Sequence, residues 1–110
     1  YRTVATINGR RVAVIVDTGA NTVALSASQA SALGVDYESG IPTSVETASG
    51  KVDAWVVALD SVDVGGIRVD KVQAAVTDSD FPSTILLGMT YLEHVDIAES
   101  NGVLSLKRDW

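Results

Sequence analysis

VAVIVDTGA, residues 12–20, opens on five apolar side chains and closes on a carboxylate, a hydroxyl, a glycine and an alanine. An apolar run of this length, rich in valine and isoleucine, reads as a strand buried on both faces. It delivers the ionisable side chain of Asp17 to the edge of a core. Asp-Thr-Gly alone suits a turn in which the aspartate caps its own backbone. A turn, however, needs neither the apolar run before it nor Ala20 after it. A carboxylate at a core edge is also costly unless something uses or pairs it.

Strand and turn signals extend outward from this segment. Arg2–Ile7 and Arg10–Val16 flank Asn8-Gly9, a hairpin signal because both central residues of such a turn take positive φ. Thr22–Leu25 reads as a short strand. Ser26–Leu33 reads as a short helix, with Ser26 or Ser28 as N-cap and Gly34 as its stop. Gly40-Ile41-Pro42 reads as a loop. Thr43–Ala48 and Lys51–Leu59 flank Ser49-Gly50 in a second hairpin, whose second arm continues to Val64 and whose small polar tip should be exposed. Gly65-Gly66 turns the chain into Ile67–Val76, and Asp78–Ser83 is a loop. Ile85–Leu87 is a short buried strand that stops at Gly88, and Met89–His94 forms one or two helical turns. Val95–Ala98 and Val103–Lys107 flank Asn101-Gly102 in a last hairpin.

Four hairpin signals and only one or two short helices predict an all-β fold, a small closed or sandwiched sheet. An apolar strand followed by a glycine turn and a short helix occurs after Val16 and again after Leu87, which suits a pseudo-symmetric barrel. The chain has 110 residues, the length of a single domain with no visible linker. A core is feasible at that size without staples, and with no cysteine there are no disulfides and no thiolate metal sites. The net charge of −6 disfavours nucleic acid and anionic membrane surfaces, which need a basic face. The longest apolar stretch, Ala54–Leu59, is far short of the roughly 20 residues that cross a bilayer. The chain opens on strand-like sequence at Tyr1 without an initiator methionine, as an excised domain or processed product would. Any membrane or targeting segment is expected upstream of it.

Most catalytic chemistries lack their residues here. His94 is the single histidine, so multi-histidine metal sites are excluded, and His94 reads as a structural or surface residue. No glycine-rich phosphate loop is present. Asp78-Ser79-Asp80 has the first acidic pair of a calcium loop but neither its glycine nor its distal glutamate, so it reads as a solvated loop. Asp60, Asp63 and Asp70 read as outward-facing strand charges. No metal or cofactor is expected. Asp17 remains.

Val14–Ala20, two or more apolar residues followed by Asp-Thr-Gly-Ala, resembles the active-site motif of the retroviral-type (retropepsin-like) aspartic proteases. Leu86-Leu87-Gly88, leading into Met89–His94, resembles the family's second mark, an apolar pair and glycine before a short helix. Leu86–Leu92, LLGMTYL, and the small polar hairpin tip are similar to the bacterial single-domain members. The resemblance covers essentially the whole chain. It implies a small closed acid-protease barrel, with the hairpin near residues 43–57 as a flap. Where retroviral members commonly pair an acidic residue with an arginine, this chain has Asn21 and Met89. Both partners are missing together, so no lone charge remains.

The resemblance implies an aspartic endopeptidase, whose chemistry uses two carboxylates sharing one proton. At about 3 Å and an effective dielectric near 20, two like charges repel by roughly 5 kcal/mol, enough to hold such a pair singly protonated. The chain has one Asp-Thr-Gly, so the second Asp17 must come from a second identical subunit, with the site on a two-fold axis. By the same resemblance Thr18 hydrogen-bonds across that axis and Gly19 lets the backbone come close to substrate. Substrate contacts are expected from Ala20, Asn21, Ala48, Ser49, Gly50, Thr84 and Leu86, with residues 47–51 closing over the peptide. Mildly acidic pH should favour activity. The other reading is a peptide-binding module of the same fold that does not cleave. Bacterial relatives imply a place on the periplasmic side of the inner membrane, held there by a segment upstream.

Overall fold

The computed structural model describes residues 1–48, 50–100 and 103–108. Ser49 at the second hairpin tip and the Asn101-Gly102 turn lie outside the described residues. The first hairpin joins β1 (Arg2–Ile7) and β2 (Arg10–Val16). Asn8 and Gly9 have φ of 51° and 82°, the mirror-image turn that matches strand twist. β3 (Val23–Ser26) leads into α1 (Ala27–Ala32). Ser26 is the N-cap and forms a capping box with Gln29, and Gly34 leaves the helix at φ 72°. Ser26→Ala is expected to cost about 1 kcal/mol of stability. Chemical denaturation should show this as a lower midpoint at unchanged slope.

A 3-10 turn over Tyr37–Ser39 precedes β4 (Ile41–Thr47) and β5 (Gly50–Val64). The loop expected at Ile41-Pro42 is therefore the start of a strand. β4 is the free edge of the sheet, where a proline without an N–H is tolerated. β6 (Ile67–Thr77) follows Gly65-Gly66, and β7 (Ile85–Leu87) runs to Gly88. α2 (Met89–Leu92) precedes the final hairpin of β8 (Val95–Ser100) and β9 (Val103–Arg108).

Seven strands are ordered β1-β2-β7-β3-β6-β5-β4, and β1 also pairs with β5 through Thr6–Asp63 and Ile7–Val62. That contact closes six strands into a barrel, with β4 appended outside the closure. Two pairings, β2 with β7 and β3 with β6, are parallel. The first of them sets the strands ending at Asp17 and at Gly88 side by side.

The barrel also corrects the reading of β2 as buried on both faces. Val12, Val14 and Val16 face the core, whereas Ala13 is exposed and Ile15 half-buried. A barrel strand has one inner face, and alternation turns its other residues outward. The core takes its large side chains from every barrel strand, among them Ile7, Val14, Leu25, Leu59, Val76 and Leu87. Tyr91 of α2 is fully buried, and its hydroxyl donates to the Ile67 carbonyl at 2.7 Å. A buried phenol needs such a partner.

Candidate active site

Asp17 follows β2 at the point where the chain leaves the barrel. Its backbone N–H donates to Leu87 O at 3.1 Å, continuing the β2–β7 ladder by one residue. Ala20 N–H donates to Asp17 O at 3.2 Å and closes a tight turn. Within that turn, Gly19 N–H donates to Asp17 Oδ1 at 2.9 Å. Among the described residues no partner is found for Oδ2. Asp17 is half-buried, and Thr18 and Gly19 are exposed. A Cβ on Gly19 would stand 3.2 Å from Asp17 Oδ1, tighter than most such contacts.

The opposite end of the loop is held by the segment after β7. Met89 N–H donates to Ala20 O at 2.9 Å. Thr90 Oγ1 accepts from Val23 N–H at 3.2 Å and donates to Gln73 O at 2.6 Å, tying β3 to β6 at the foot of the loop. Gly88 is buried between these contacts. A Cβ there would fall on the Thr22 carbonyl and stand 2.8 Å from Ala20 O. Its φ of −94° is ordinary, so space and not backbone conformation demands glycine. Thr90 was not singled out in the sequence, because a hydroxyl on a short helix carries no local signal of a bond to strands far away in the chain.

Strand register explains what lies beside Asp17. Ile15 pairs with Leu86, Leu86 with Ala24, Ala24 with Ala75, and Ala75 with Val56. Register partners share a face of the sheet, so these five form one row on the outer face. All five are half-buried, whereas Val14, Ile85, Leu25 and Val76 on the inner face are buried. Asp17 lies two residues beyond Ile15. The result is an apolar floor, open to solvent, that starts near a carboxylate.

An open groove of about 360 Å³ runs over the alanine pair of this floor. Ala24 and Ala75 line it, with Ala20 and Asn21 on the Asp17 side. One wall is Val45 and Glu46 of β4, and the other is Phe81-Pro82. Phe81 is 63% exposed. That second wall is held by Gln29, whose Nε2 donates to Pro82 O at 2.9 Å, and by Thr77, whose hydroxyl donates to Phe81 O.

Of the residues singled out in the sequence, Ala20 and Asn21 border the groove, and Leu86 belongs to its apolar row. Thr84 is half-buried just before β7 and is not among the groove residues. Ala48 and Gly50 are exposed at the β4–β5 tip, and Ser49 lies outside the described residues. Ala24, Ala75, Val45, Glu46 and Phe81 were not anticipated, since pairing between distant strands places them here.

Comparison with known proteins places the fold and the family. The curated relative "Uncharacterized protein in cobV 5'region" from Sinorhizobium sp. is 30% identical over 100 residues. The match takes in 90% of this chain, which spans 43% of that relative's length. A retropepsin-like aspartic protease from Rickettsia conorii superposes with a TM-score of 0.80 at 28% identity, over 96% of this chain and 88% of that one. The EIAV protease, solved with the inhibitor HBY-793, shares the fold at a TM-score of 0.69 and 22% identity, over 84% and 85% of the two chains. The retroviral protease-like domain of Ddi1 from Leishmania major does so at 0.66 and 19%, over 96% and 86%. The family described as "gag-polyprotein putative aspartyl protease" matches residues 3–94, which include both Asp17-Thr18-Gly19 and Leu86-Leu87-Gly88. The chain belongs to this family, the retropepsin-like aspartic proteases.

Proposed function

We propose that the protein is an aspartic endopeptidase acting as a homodimer, each subunit giving one Asp17 to a shared dyad. The observation that carries this reading is the position of Asp17. Among the described residues its carboxylate has one hydrogen bond, from its own turn, and it stands on an exposed loop at the end of an open apolar floor. A second Asp17 brought close across a two-fold axis supplies the missing partner.

In that dimer one carboxylate is ionised and the other protonated. The ionised one takes a proton from water, whose oxygen attacks the scissile carbonyl carbon. The protonated one donates to the carbonyl oxygen. The tetrahedral diol then collapses, the C–N bond breaks, and the departing nitrogen takes a proton from the dyad. One water is consumed, and a carboxyl and an amine are released. Thr18, exposed in the single chain, is accessible for a hydrogen bond across the axis. The β4–β5 hairpin serves as a flap that closes over an extended peptide and excludes bulk water. A place on the periplasmic side of the inner membrane, held by a segment upstream of Tyr1, completes the reading.

Mixing two kinds of chain tests the shared site. When Asp17→Asn chains are titrated into parent chains at constant total concentration, activity on an unfolded protein should fall as the square of the parent fraction. A linear fall would mean that each chain carries a whole site. The dimer also joins two chains of −6 each. Their repulsion opposes association and is screened by salt, with a Debye length of about 10 Å at 0.1 M. Sedimentation equilibrium should therefore show several-fold tighter dimers at 0.2 M salt than at 0.02 M salt. Lowering the pH from 7 to 5 should act in the same direction, because added protons reduce the negative charge. Dimers that loosen with salt would count against this interface.

A further inference from the structure

The groove beside Asp17 is uneven in shape and in charge. Its row runs from the large side chains Ile15 and Leu86 through Ala24 beside Ala75 to Val56. Two methyl groups on adjacent strands leave room where leucine would fill it. The walls above them are apolar on one side, where Phe81 stands open to solvent, and carry Glu46 on the other. Among the described residues, Glu46 is the only charged one lining the groove, and no lysine, arginine or histidine lines it. Asp80, exposed, adjoins Phe81 on the facing wall. Lys51 lies opposite Glu46 in the β4–β5 register, yet the two form no ion pair among the described residues. An open apolar bed with acid at its rim suits one kind of side chain, a long aliphatic stem ending in a cation.

Building on the endopeptidase reading, we infer that this groove selects a lysine or arginine side chain of the substrate peptide, its stem over Ala24 and Ala75 and its cation toward Glu46. Glu46 acts on specificity, not on the bond-breaking step. It is exposed, so its charge acts through water. A unit charge about 4 Å away in a water-like dielectric changes affinity about fivefold, and salt weakens that effect.

The test is a set of peptides from one cleaved sequence, with lysine, glutamine or glutamate placed in turn at each position near the cleaved bond. Cleavage by the parent protein and binding to the Asp17→Asn chain are both measured. At one position the order should be lysine, then glutamine, then glutamate, with about fivefold between steps at low salt. Glu46→Gln should level that position, and Glu46→Lys should reverse it. Ala24→Leu should penalise long side chains there whatever their charge. If Glu46→Lys leaves the order unchanged, or no position shows the order in either measurement, the inference is overturned. These outcomes are separable from the catalytic reading. Cleavage that survives Asp17→Asn overturns the protease mechanism, whereas binding by that chain still reports on the groove.

Discussion

Asp17→Asn is expected to abolish peptide cleavage, lowering kcat by about 10⁴-fold or more. In the proposed dimer the substitution removes both carboxylates at once. No group is then left to accept a proton from water, and none to donate to the carbonyl oxygen. General acid and base contributions are each of the order of 10²–10⁴. The fold should be unaffected, because asparagine is nearly isosteric and its amide oxygen can still accept from Gly19 N–H, now 2.9 Å from Asp17 Oδ1. Dimerisation should persist, since two facing amides can hydrogen-bond across the axis as a carboxylic acid and a carboxylate do. Cleavage of an unfolded protein, thermal unfolding and sedimentation check the three statements separately. An Asp17→Asn chain that folds, dimerises and still cleaves would end the aspartic-protease reading. If the parent chain binds peptide but never cleaves it, the protein is a binding module on a protease fold.

Gly88→Ala should be the most damaging single-methyl addition near the site. The new methyl has no free space, since it would occupy the position of the Thr22 carbonyl and crowd Ala20 O. Both obstacles are backbone, so no rotamer change relieves them. Overpacking of a fitted interior costs about 1–3 kcal/mol, and relief here requires that the loop and α2 move apart. The Met89 N–Ala20 O and Asp17 N–Leu87 O bonds, at 2.9 and 3.1 Å, lie across that gap. For a domain of this size the melting temperature should fall by roughly 5–20 °C. Displacement of Asp17 by about 1 Å should lower activity by about 10²-fold even in the molecules that remain folded. Calorimetry and activity measured well below the transition separate the two effects. A Gly88→Ala protein with parental melting and activity would show that the loop and α2 are not rigidly packed. Serine at the same place should be no better, because the clash is with its Cβ.

These predictions rest on features that differ in how openly the amino-acid order displays them. The Asn8-Gly9 turn was legible because positive φ at both central residues is a local demand that few dipeptides meet. The helix over Ala27–Ala32 was legible for the same reason, since Ser26 and Gln29 cap it within one turn. The end of β7 at Gly88 and the Asp-Thr-Gly turn carry their marks in adjacent residues. Asp17 could therefore be reached as a candidate by chemistry and elimination, and the resemblance to a known family supplied its role.

Other features were hidden because they depend on partners distant in the chain. Alternation within VAVIV could not show that Ile15 faces outward, because both faces of the run are apolar. The answer comes from the barrel, which has only one interior. The strand at Ile41-Pro42 read as a loop, since a proline is excluded from central strands but not from an edge, and edge position is a property of the finished sheet. Gly88 was visible as the end of a strand, but its steric need for glycine appears only when Thr22 lies against it. The row Ile15, Leu86, Ala24, Ala75 and Val56 joins strands far apart in the chain. No local rule sets that register, which follows from closure of the barrel around the core. Local backbone preferences thus identify the carboxylate and the turn that carries it. The floor beside it, the threonine that braces its loop and the acidic rim of its groove arise only from long-range strand pairing.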